Sequence, residues 1–337
     1  MFDLRKRNIL ITGGTGSLGK ACARILLDEY SPSRLIIFSR DELKQHEMRI
    51  AGFDHPNLRY LIGDVRDADR LRRAMVGVDV VIHAAALKQV PTCEDNPTEA
   101  IQTNINGSKN VIDAALDNRV QRVLAVSTGK AVNPVNLYGA TKHIAEKLFI
   151  QANACQRGEP IRFSSVRYGN VAGSRGSVIP LFQQQRKSGR ITITDPRMTR
   201  FWITLEQSVR FALSSIQTMV GGEVFVPKIP SMKMTDLARA IAPGCEIRQI
   251  GIRPGERLHE VLLSEDEALH SVELDDRFVI LPVHPWWNGH AETAGNPLPE
   301  GFRYDSETNT QWLSEGELLA MAGETEDACR TLHPDVA

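Results

Sequence analysis

Asn8 to Gly19 reads NILITGGTGSLG, an apolar strand followed by a glycine-rich turn that opens into a helix. Gly13, Gly16 and Gly19 follow the pattern T-G-x-x-G-x-x-G. Glycines at this spacing let the backbone turn tightly, approach a pyrophosphate, and pack a helix whose N-terminus faces that anion. Because the triplet stands directly between a first strand and a helix, it indicates a dinucleotide-binding site.

Strands and helices alternate through the first 170 residues or so. Such alternation predicts right-handed βαβ crossovers, hence an α/β fold with a doubly wound parallel (Rossmann) sheet. The predicted strands are Asn8–Thr12, Arg34–Phe38, Leu58–Gly63, Asp79–His83, Val123–Val126 and Arg162–Tyr168. The first predicted helix leads from the Gly13–Gly19 turn to about Tyr30. The others are Glu42–Ala51, Ala68–Met75, about Thr98–Asn118, and one through Tyr138.

The regular alternation ends after Tyr168, where Gly, Pro and short mixed elements become frequent. A helix at Leu205–Thr218 and a strand at Glu223–Val226 are expected to return to the first domain. We therefore predict a dinucleotide-binding domain of residues 1–170 plus about 201–228. A smaller, discontinuous substrate-binding domain would take about 171–200 and 229–325, with 326–337 as a tail.

Composition indicates an ordinary globular protein. The net charge is -1, with 42% hydrophobic and 24% charged residues, so nothing favours nucleic acid or a membrane surface as partner. Five scattered cysteines lack metal-ligand spacing, which favours reduced thiols, a cytoplasmic location and no metal. The start MFDLRKRNILITGG resembles neither a signal peptide nor a transmembrane helix.

The end of the second strand bears on the choice of cofactor. Ser39 and Arg40 offer a hydroxyl and a guanidinium suited to a 2′-phosphate, which favours NADP, whereas an acid there would take the ribose of NAD. The alternative is that Arg40 is a surface cation and Asp41 caps the next helix. Other predicted cofactor residues are Thr15, Ser17, Leu18, Glu42, Lys44, Asp64, Val65, Ala84, Ala85, Ala86 and Val171.

A second motif, VSTGKAVNPVNLYGATK (Val126 to Lys142), carries four side chains that could take part in catalysis: Thr128, Lys130, Tyr138 and Lys142. Tyr138 and Lys142 stand at i and i+4, so on a helix they share one face. An ammonium beside a phenol favours the phenolate and can bring a tyrosine, which normally titrates near pH 10 or so, into use as a base. Two solvated helix residues are the alternative.

The glycine triplet Gly13-x-x-Gly16-x-x-Gly19 together with Tyr138-x-x-x-Lys142 resembles the extended short-chain dehydrogenase/reductase superfamily. The match is narrower still, because nine further strings resemble inverting UDP-N-acetylglucosamine 4,6-dehydratases of the pseudaminic acid pathway. The strings are FSRDELKQ, GDVRD, HAAALKQVP, NPVNLYGATK, RYGNVAGSRGSV, MTRFWIT, FVPKIPSMK, IGIRPGERLHE and SETNTQWL.

The resemblance implies a homo-oligomeric lyase that uses NADP on UDP-N-acetylglucosamine. Tyr138, with Lys142, would serve oxidation at C4; Thr128 would orient the oxygen; Lys130 would remove the C5 proton. It places Asn170, Arg200 and Arg253 at the diphosphate, Glu256 at the uridine ribose and Lys88 at the substrate.

One position departs from this family. The family reads Ser-Thr-Asp-Lys where this chain reads Ser127-Thr128-Gly129-Lys130, so the carboxyl thought to protonate the leaving C6 hydroxyl is missing. Gly129 predicts slow dehydration that an aspartate would speed, unless water or another acid compensates. A 4-epimerase, which needs only Tyr138, Lys142 and NADP, and a silent NADP- and UDP-sugar-binding homologue remain alternatives.

Overall fold

A large, mostly parallel sheet organises the molecule, and the run NILIT forms one of its interior strands. The computed structural model describes residues 1–155, 161–172, 178–285, 287 and 295–321. Within these ranges the strands are β1 Asn8–Thr12, β2 Arg34–Ser39, β3 Leu58–Ile62, β4 Val80–His83, β5 Arg122–Val126, β6 Arg162–Val166, β7 Asn170–Val171, β8 Arg190–Ile193, β9 Thr199–Ile203, β10 Val224–Pro227, β11 Ser231–Lys233, β12 Glu246–Gln249, β13 Val261–Leu263, β14 Ser271–Glu273, β15 Arg277–Ile280, β16 Asn296–Pro297 and β17 Tyr304–Asp305.

Helices flank the sheet. Over the same ranges they are α1 Ser17–Ile25, α2 Glu42–Ile50, α3 Ala68–Ala74, α4 Val90–Asp95, α5 Pro97–Ile101, α6 Gly107–Asp117, α7 Leu137–Ala152, α8 Val178–Arg186, α9 Leu205–Thr218, α10 Met234–Ile241 and α11 Glu265–Ala268. Short π-helical turns at Leu26–Tyr30 and Gln102–Asn106 extend α1 and join α5 to α6.

The order of the main sheet is β16-β14-β15-β10-β6-β5-β4-β1-β2-β3 in the described residues. Strands β3 to β10 in that order are parallel, and β2 and β4 lie on either side of β1. Along β1, Ile9 and Ile11 belong to one core cluster and Leu10 to another, because successive strand side chains point to opposite faces. Both faces are therefore buried, and the predicted doubly wound parallel fold is confirmed.

The predicted single helix Thr98–Asn118 is divided by a π-helical turn. Asn104, in that turn, accepts a hydrogen bond from the Leu87 N–H (2.8 Å) and donates to the Leu87 carbonyl (2.9 Å) and to Thr141 Oγ1 (3.0 Å). The wider turn thus lets a buried amide hold the segment after β4 against α7. Helical periodicity alone does not reveal such a bulge, since the apolar spacing continues through it.

The range 229–325, predicted to form part of the second domain, also contributes to the main sheet. Strand β15 pairs antiparallel with β10, and β14 and β16 follow at the edge. These short antiparallel strands cover the open edge of β10, which would otherwise leave backbone groups unpaired. Smaller sheets of β11-β9-β7 and β12-β8 pack with α8 and α10 around a separate core cluster. The predicted tail, 326–337, lies outside the described residues.

Cys22, Cys93, Cys155 and Cys245, in the described part of the chain, are free thiols. Among the helices of the described residues, none combines the length and the apolar character needed to cross a bilayer.

Candidate active site

A cleft of about 1170 Å³ opens at the carboxyl ends of the parallel strands, the edge at which ligands of such sheets bind. Every predicted site residue lines it except Glu42, the first residue of α2. The structure therefore brings the following into one cavity: Gly13, Thr15, Gly16, Ser17, Leu18, Gly19, Ser39, Arg40, Asp41, Lys44, Asp64, Val65, Ala84, Ala85, Ala86, Lys88, Thr128, Lys130, Tyr138, Lys142, Asn170, Val171, Arg200, Arg253 and Glu256.

The glycine-rich turn is built by close backbone contacts. Gly13 has a φ of +66°, and a Cβ there would lie 2.9 Å from Ala85 Cα. A Cβ on Gly19 would lie 2.5 Å from Gly14 Cα, so α1 packs directly on the turn. A Cβ on Gly16 would meet only the Gly13 carbonyl, at 3.3 Å. The first and third glycines thus serve packing, and the middle one leaves the backbone open to a ligand.

At the end of β2, Arg40 faces the cleft and Asp41 caps the next helix, so each of the two interpretations of this segment is partly correct. Asp41 caps α2, accepting from the Lys44 N–H (3.0 Å) and pairing with Lys44 Nζ (2.7 Å), and the Lys44 hydrogen bonds lower the pKa of that carboxyl. The Arg40 side chain is 57% exposed and lies 3.8 Å from Asp64. Arg40 lines the cleft while Asp41 is already engaged as a helix cap.

Tyr138 and Lys142 lie one turn apart on α7, whose first turn is capped by Asn136. Burial raises the pKa of Tyr138 above its ordinary value, the Cys93 thiol adds to this, and a hydrogen bond with Thr128 acts in the opposite direction. Burial lowers the pKa of Lys142 to about 8, against the opposing charge of Glu146. In the protein without a bound cofactor, burial thus disfavours the phenolate, and the use of Tyr138 as a base assisted by Lys142 stays a prediction.

Beneath α7 lies a buried ionic network that sequence reasoning did not identify. Arg167, directly after β6, donates to Glu146 (2.6 and 2.9 Å) and to Glu267 (2.8 and 3.0 Å), and Ser127 hydrogen bonds to Glu146. These contacts tie the segment after β5, which contains Ser127 and Thr128, to the helix that carries Tyr138. Truncating one member would leave a buried charge unpaired, so the network fixes the relative position of the two elements.

Glu260, just before β13, is a second residue that was missed. Its Oε1 lies 3.5 Å from Lys130 Nζ and 3.7 Å from Arg200 Nε, and Asn170 Nδ2 lies 3.4 Å from both carboxylate oxygens. The carboxylate is 12% exposed and stands behind three residues that line the cleft. It closes the string IGIRPGERLHE, but about 130 residues separate it from Lys130, so its contact with that lysine is invisible in the sequence.

Arg200 and Arg253 have different surroundings. Arg200 donates to the carbonyls of Thr199, Leu258 and Arg257 at 2.7 to 3.1 Å, so most of its N–H groups already hold the chain. The Arg253 side chain is 56% exposed and lies 3.9 Å from Glu256. Of the two, Arg253 is better placed to receive a phosphate.

Gly129 is buried in a short 3-10 turn between Thr128 and Lys130. A Cβ at this position would lie 2.8 Å from Leu262 Cδ2 and 3.0 Å from the Val261 carbonyl oxygen. Strand β13 thus fills the space that a side chain at 129 would occupy.

The fold and the cleft are those of an extended short-chain dehydrogenase/reductase. The chain belongs to the family described as "Polysaccharide biosynthesis protein", which matches residues 9–282. A relative from Campylobacter jejuni, 52% identical over 335 residues, covers 97% of this chain and 99% of its own length. It is named UDP-N-acetylglucosamine 4,6-dehydratase (inverting), which confirms the predicted resemblance.

Three further similarities have lower sequence identity. A Rickettsia akari protein named UDP-glucose 4-epimerase is 46% identical over 80% of this chain and 81% of its own. The X-ray structure of Pen from Bacillus thuringiensis has a TM-score of 0.87 and 38% identity, covering 97% of this chain and 99% of that one. A dTDP-glucose 4,6-dehydratase from Streptomyces venezuelae with NAD bound shares the fold, with a TM-score of 0.66, 23% identity, and coverage of 74% and 86%.

Proposed function

We propose that this protein dehydrates UDP-N-acetylglucosamine to a 4-keto-6-deoxy UDP-sugar, with inversion at C5. The observation that carries the proposal is the convergence of Thr128, Lys130, Tyr138 and Lys142 on one cleft with the glycine-rich turn. A relative that shares half of its residues along the whole chain carries the name of this activity. Incubating the protein with UDP-N-acetylglucosamine and following the sugar by NMR tests it.

The residues fit a nicotinamide dinucleotide. The open backbone at Gly16, the N-terminus of α1 and the small residues Ala84 to Ala86 would hold it, with Asp64 and Val65 at the adenine. When bound, NADP would supply a hydride acceptor for C4 and the same hydride for C6, and its oxidised ring would carry a positive charge. That positive charge would add to Lys142 in favouring the Tyr138 phenolate, which the protein alone disfavours.

Each catalytic group then has a defined task. Tyr138 takes the proton from O4 as C4 is oxidised, and Thr128 holds that oxygen. The C4 ketone would acidify C5, so that the amine of Lys130 removes the C5 proton and the C6 hydroxyl leaves as hydroxide, which takes a proton from water. Return of the hydride to C6 and protonation of C5 from the opposite face would complete the inversion. Arg253 binds the diphosphate and Glu256 the ribose, with Lys88 and Asn170 along the sugar. The homo-oligomer and the cytoplasmic location stay predictions.

A 4-epimerase is the second candidate, because relatives such as the Rickettsia akari protein carry that name. Epimerisation needs C4 oxidation by Tyr138 and Lys142 but no group at C5. Lys130 would then have no chemical task, so loss of Lys130 separates the two functions.

The choice of NADP over NAD leads to a prediction for Arg40. Arg40→Ala should weaken NADP binding about tenfold to a hundredfold, since a charge-assisted phosphate contact contributes roughly 1.5 to 3 kcal/mol. NAD binding should barely change, because the Arg40–Asp64 pair is exposed and contributes little. Titrating both cofactors into both proteins measures this. Equal affinity of the parent for NAD and NADP would contradict the assignment.

The surroundings of Gly129 change the expectation for adding the missing carboxyl. Gly129→Asp must displace Leu262, and we expect a loss of about 1 to 3 kcal/mol in the free energy of unfolding. The single variant should therefore not form product faster. Adding Leu262→Val removes the contacting methyl, and only this double variant should show faster loss of the C6 hydroxyl.

The matched control is Gly129→Asn with Leu262→Val, since asparagine has a similar shape but is not a comparable acid. Urea denaturation and NMR of the product follow stability and rate. Equal rescue by asparagine would show that position 129 acts through conformation alone.

A further inference from the structure

The backbone of Glu260 is held in place by hydrogen bonds that are independent of its side chain. The Glu260 N–H donates to Ser306 Oγ (2.9 Å), the Ser306 N–H donates to the Glu260 carbonyl (2.8 Å), and Ser306 is fully buried. The Phe201 N–H donates to Glu260 Oε2 at 3.3 Å. The backbone of Glu260 is therefore anchored at Ser306, the residue after β17, and its carboxylate is also tied to β9 through Phe201, in addition to its contacts with the cleft residues.

The charges around Glu260 explain why an anion is needed there. Lys130 and Arg200 both lie within 4 Å of Glu260 Oε1. Burial lowers the pKa of Lys88, and the nearby charge of Lys130 lowers it further. Cations so close together repel one another, and a shared carboxylate offsets that repulsion. Arg200 is also held by three backbone carbonyls. Within the part of the chain that the structure describes, the Lys130 ammonium pairs with Glu260.

We propose that Glu260 is a positioning residue, which holds the Lys130 amine where it meets the C5 proton of the sugar. The proposal rests on the proposed function and deepens it by adding a residue that stands outside the cleft wall. It also gives this chain a carboxylate beside Lys130, although Gly129 supplies none. A misplacement of about 1 Å at a reacting group can cost about a hundredfold in rate, so the effect should be large.

Glu260→Gln is the sharpest variant, because glutamine keeps an oxygen for the Asn170 amide and the Phe201 N–H but loses the charge that holds Lys130. We expect exchange of the C5 proton with deuterated solvent to fall about tenfold to a hundredfold. Reduction of bound NADP on adding UDP-N-acetylglucosamine, followed at 340 nm, should stay within about twofold of the parent, as should KM. Glu307→Gln, at an exposed carboxylate near His259, is the matched control.

A double-mutant cycle with Lys130→Met separates positioning from a general structural role. If Glu260 acts through Lys130, Glu260→Gln adds no further loss of exchange to Lys130→Met. Additive losses, an unchanged exchange rate, or an equal loss of NADP reduction would overturn the proposal. Should the glutamine variant fold poorly, Glu260→Asp keeps the charge on a shorter side chain and should show a smaller loss of exchange with parental NADP reduction.

A measurement without sugar keeps this test apart from the proposed function. Lysine amines are labelled with a limiting acylating reagent, and Lys130 is quantified by mass spectrometry in the parent and in Glu260→Gln. Release from the carboxylate should raise Lys130 labelling several-fold while Lys109 labelling stays the same. An unchanged Lys130 rate would overturn the proposal whatever the substrate is, whereas failure of the parent to act on UDP-N-acetylglucosamine would overturn only the proposed function.

Discussion

Tyr138→Phe is expected to stop oxidation at C4, with a loss of about 10² to 10⁴ in rate, because a positioned proton-transfer group contributes about that much. The phenol lines the cleft and hydrogen bonds with Thr128, so its removal takes away the acceptor of the O4 proton. Every later step depends on the ketone. NADP reduction, C5 exchange and product formation should therefore all fall together.

Tyr60→Phe is the matched control for that substitution. Its hydroxyl donates to the Phe53 carbonyl at 2.7 Å, on strand β3 and outside the residues that line the cleft. This variant should keep parental rates, and both variants should bind UDP-N-acetylglucosamine as the parent does. If Tyr138→Phe still incorporates solvent deuterium at the parental rate, Tyr138 is not the base.

Lys130→Met should separate the two halves of the reaction. Methionine keeps most of the length of the side chain but has no amine, so C5 deprotonation should lose about 10² to 10⁴ in rate. C4 oxidation depends on Tyr138 and Lys142, so NADP should still be reduced on mixing with the sugar. The variant should accumulate reduced cofactor and form almost no 6-deoxy product.

Lys109→Met, which removes an exposed lysine that pairs with Asp113, controls for the loss of a lysine. It should behave as the parent does. If Lys130→Met dehydrates the sugar at the rate of the parent, another group takes the C5 proton. If the variant instead epimerises the sugar at the rate of the parent, the second candidate function is favoured.

The main sheet and the cofactor half of the site were predictable because their signals are local. Ile9 to Ile11 form a continuous apolar run, as strands buried on both faces require, and Gly13 to Gly19 follow at once. The i, i+4 spacing of Tyr138 and Lys142 is likewise local to one helix. The geometry of such patterns is set by one or two adjacent elements, so the residues needed to recognise them lie within about twenty positions of one another.

The remaining features depend on contacts between distant segments. The Glu260 contact with Lys130 crosses about 130 residues, and the Arg167 contact with Glu267 crosses 100. The obstacle at Gly129 comes from Leu262 on another strand, so the sequence showed a missing carboxyl but not that its space was filled. The raised pKa of Tyr138 follows from burial, which a spacing rule cannot supply.

The most direct test incubates the parent protein with NADP and UDP-N-acetylglucosamine in deuterated water and follows the sugar by NMR. The proposed function predicts a C6 methyl signal from a 4-keto-6-deoxy sugar, with deuterium at C5 and the configuration there inverted. A 4-epimerised hexosamine that keeps its C6 hydroxymethyl and its C5 hydrogen, or an unchanged sugar, would contradict it.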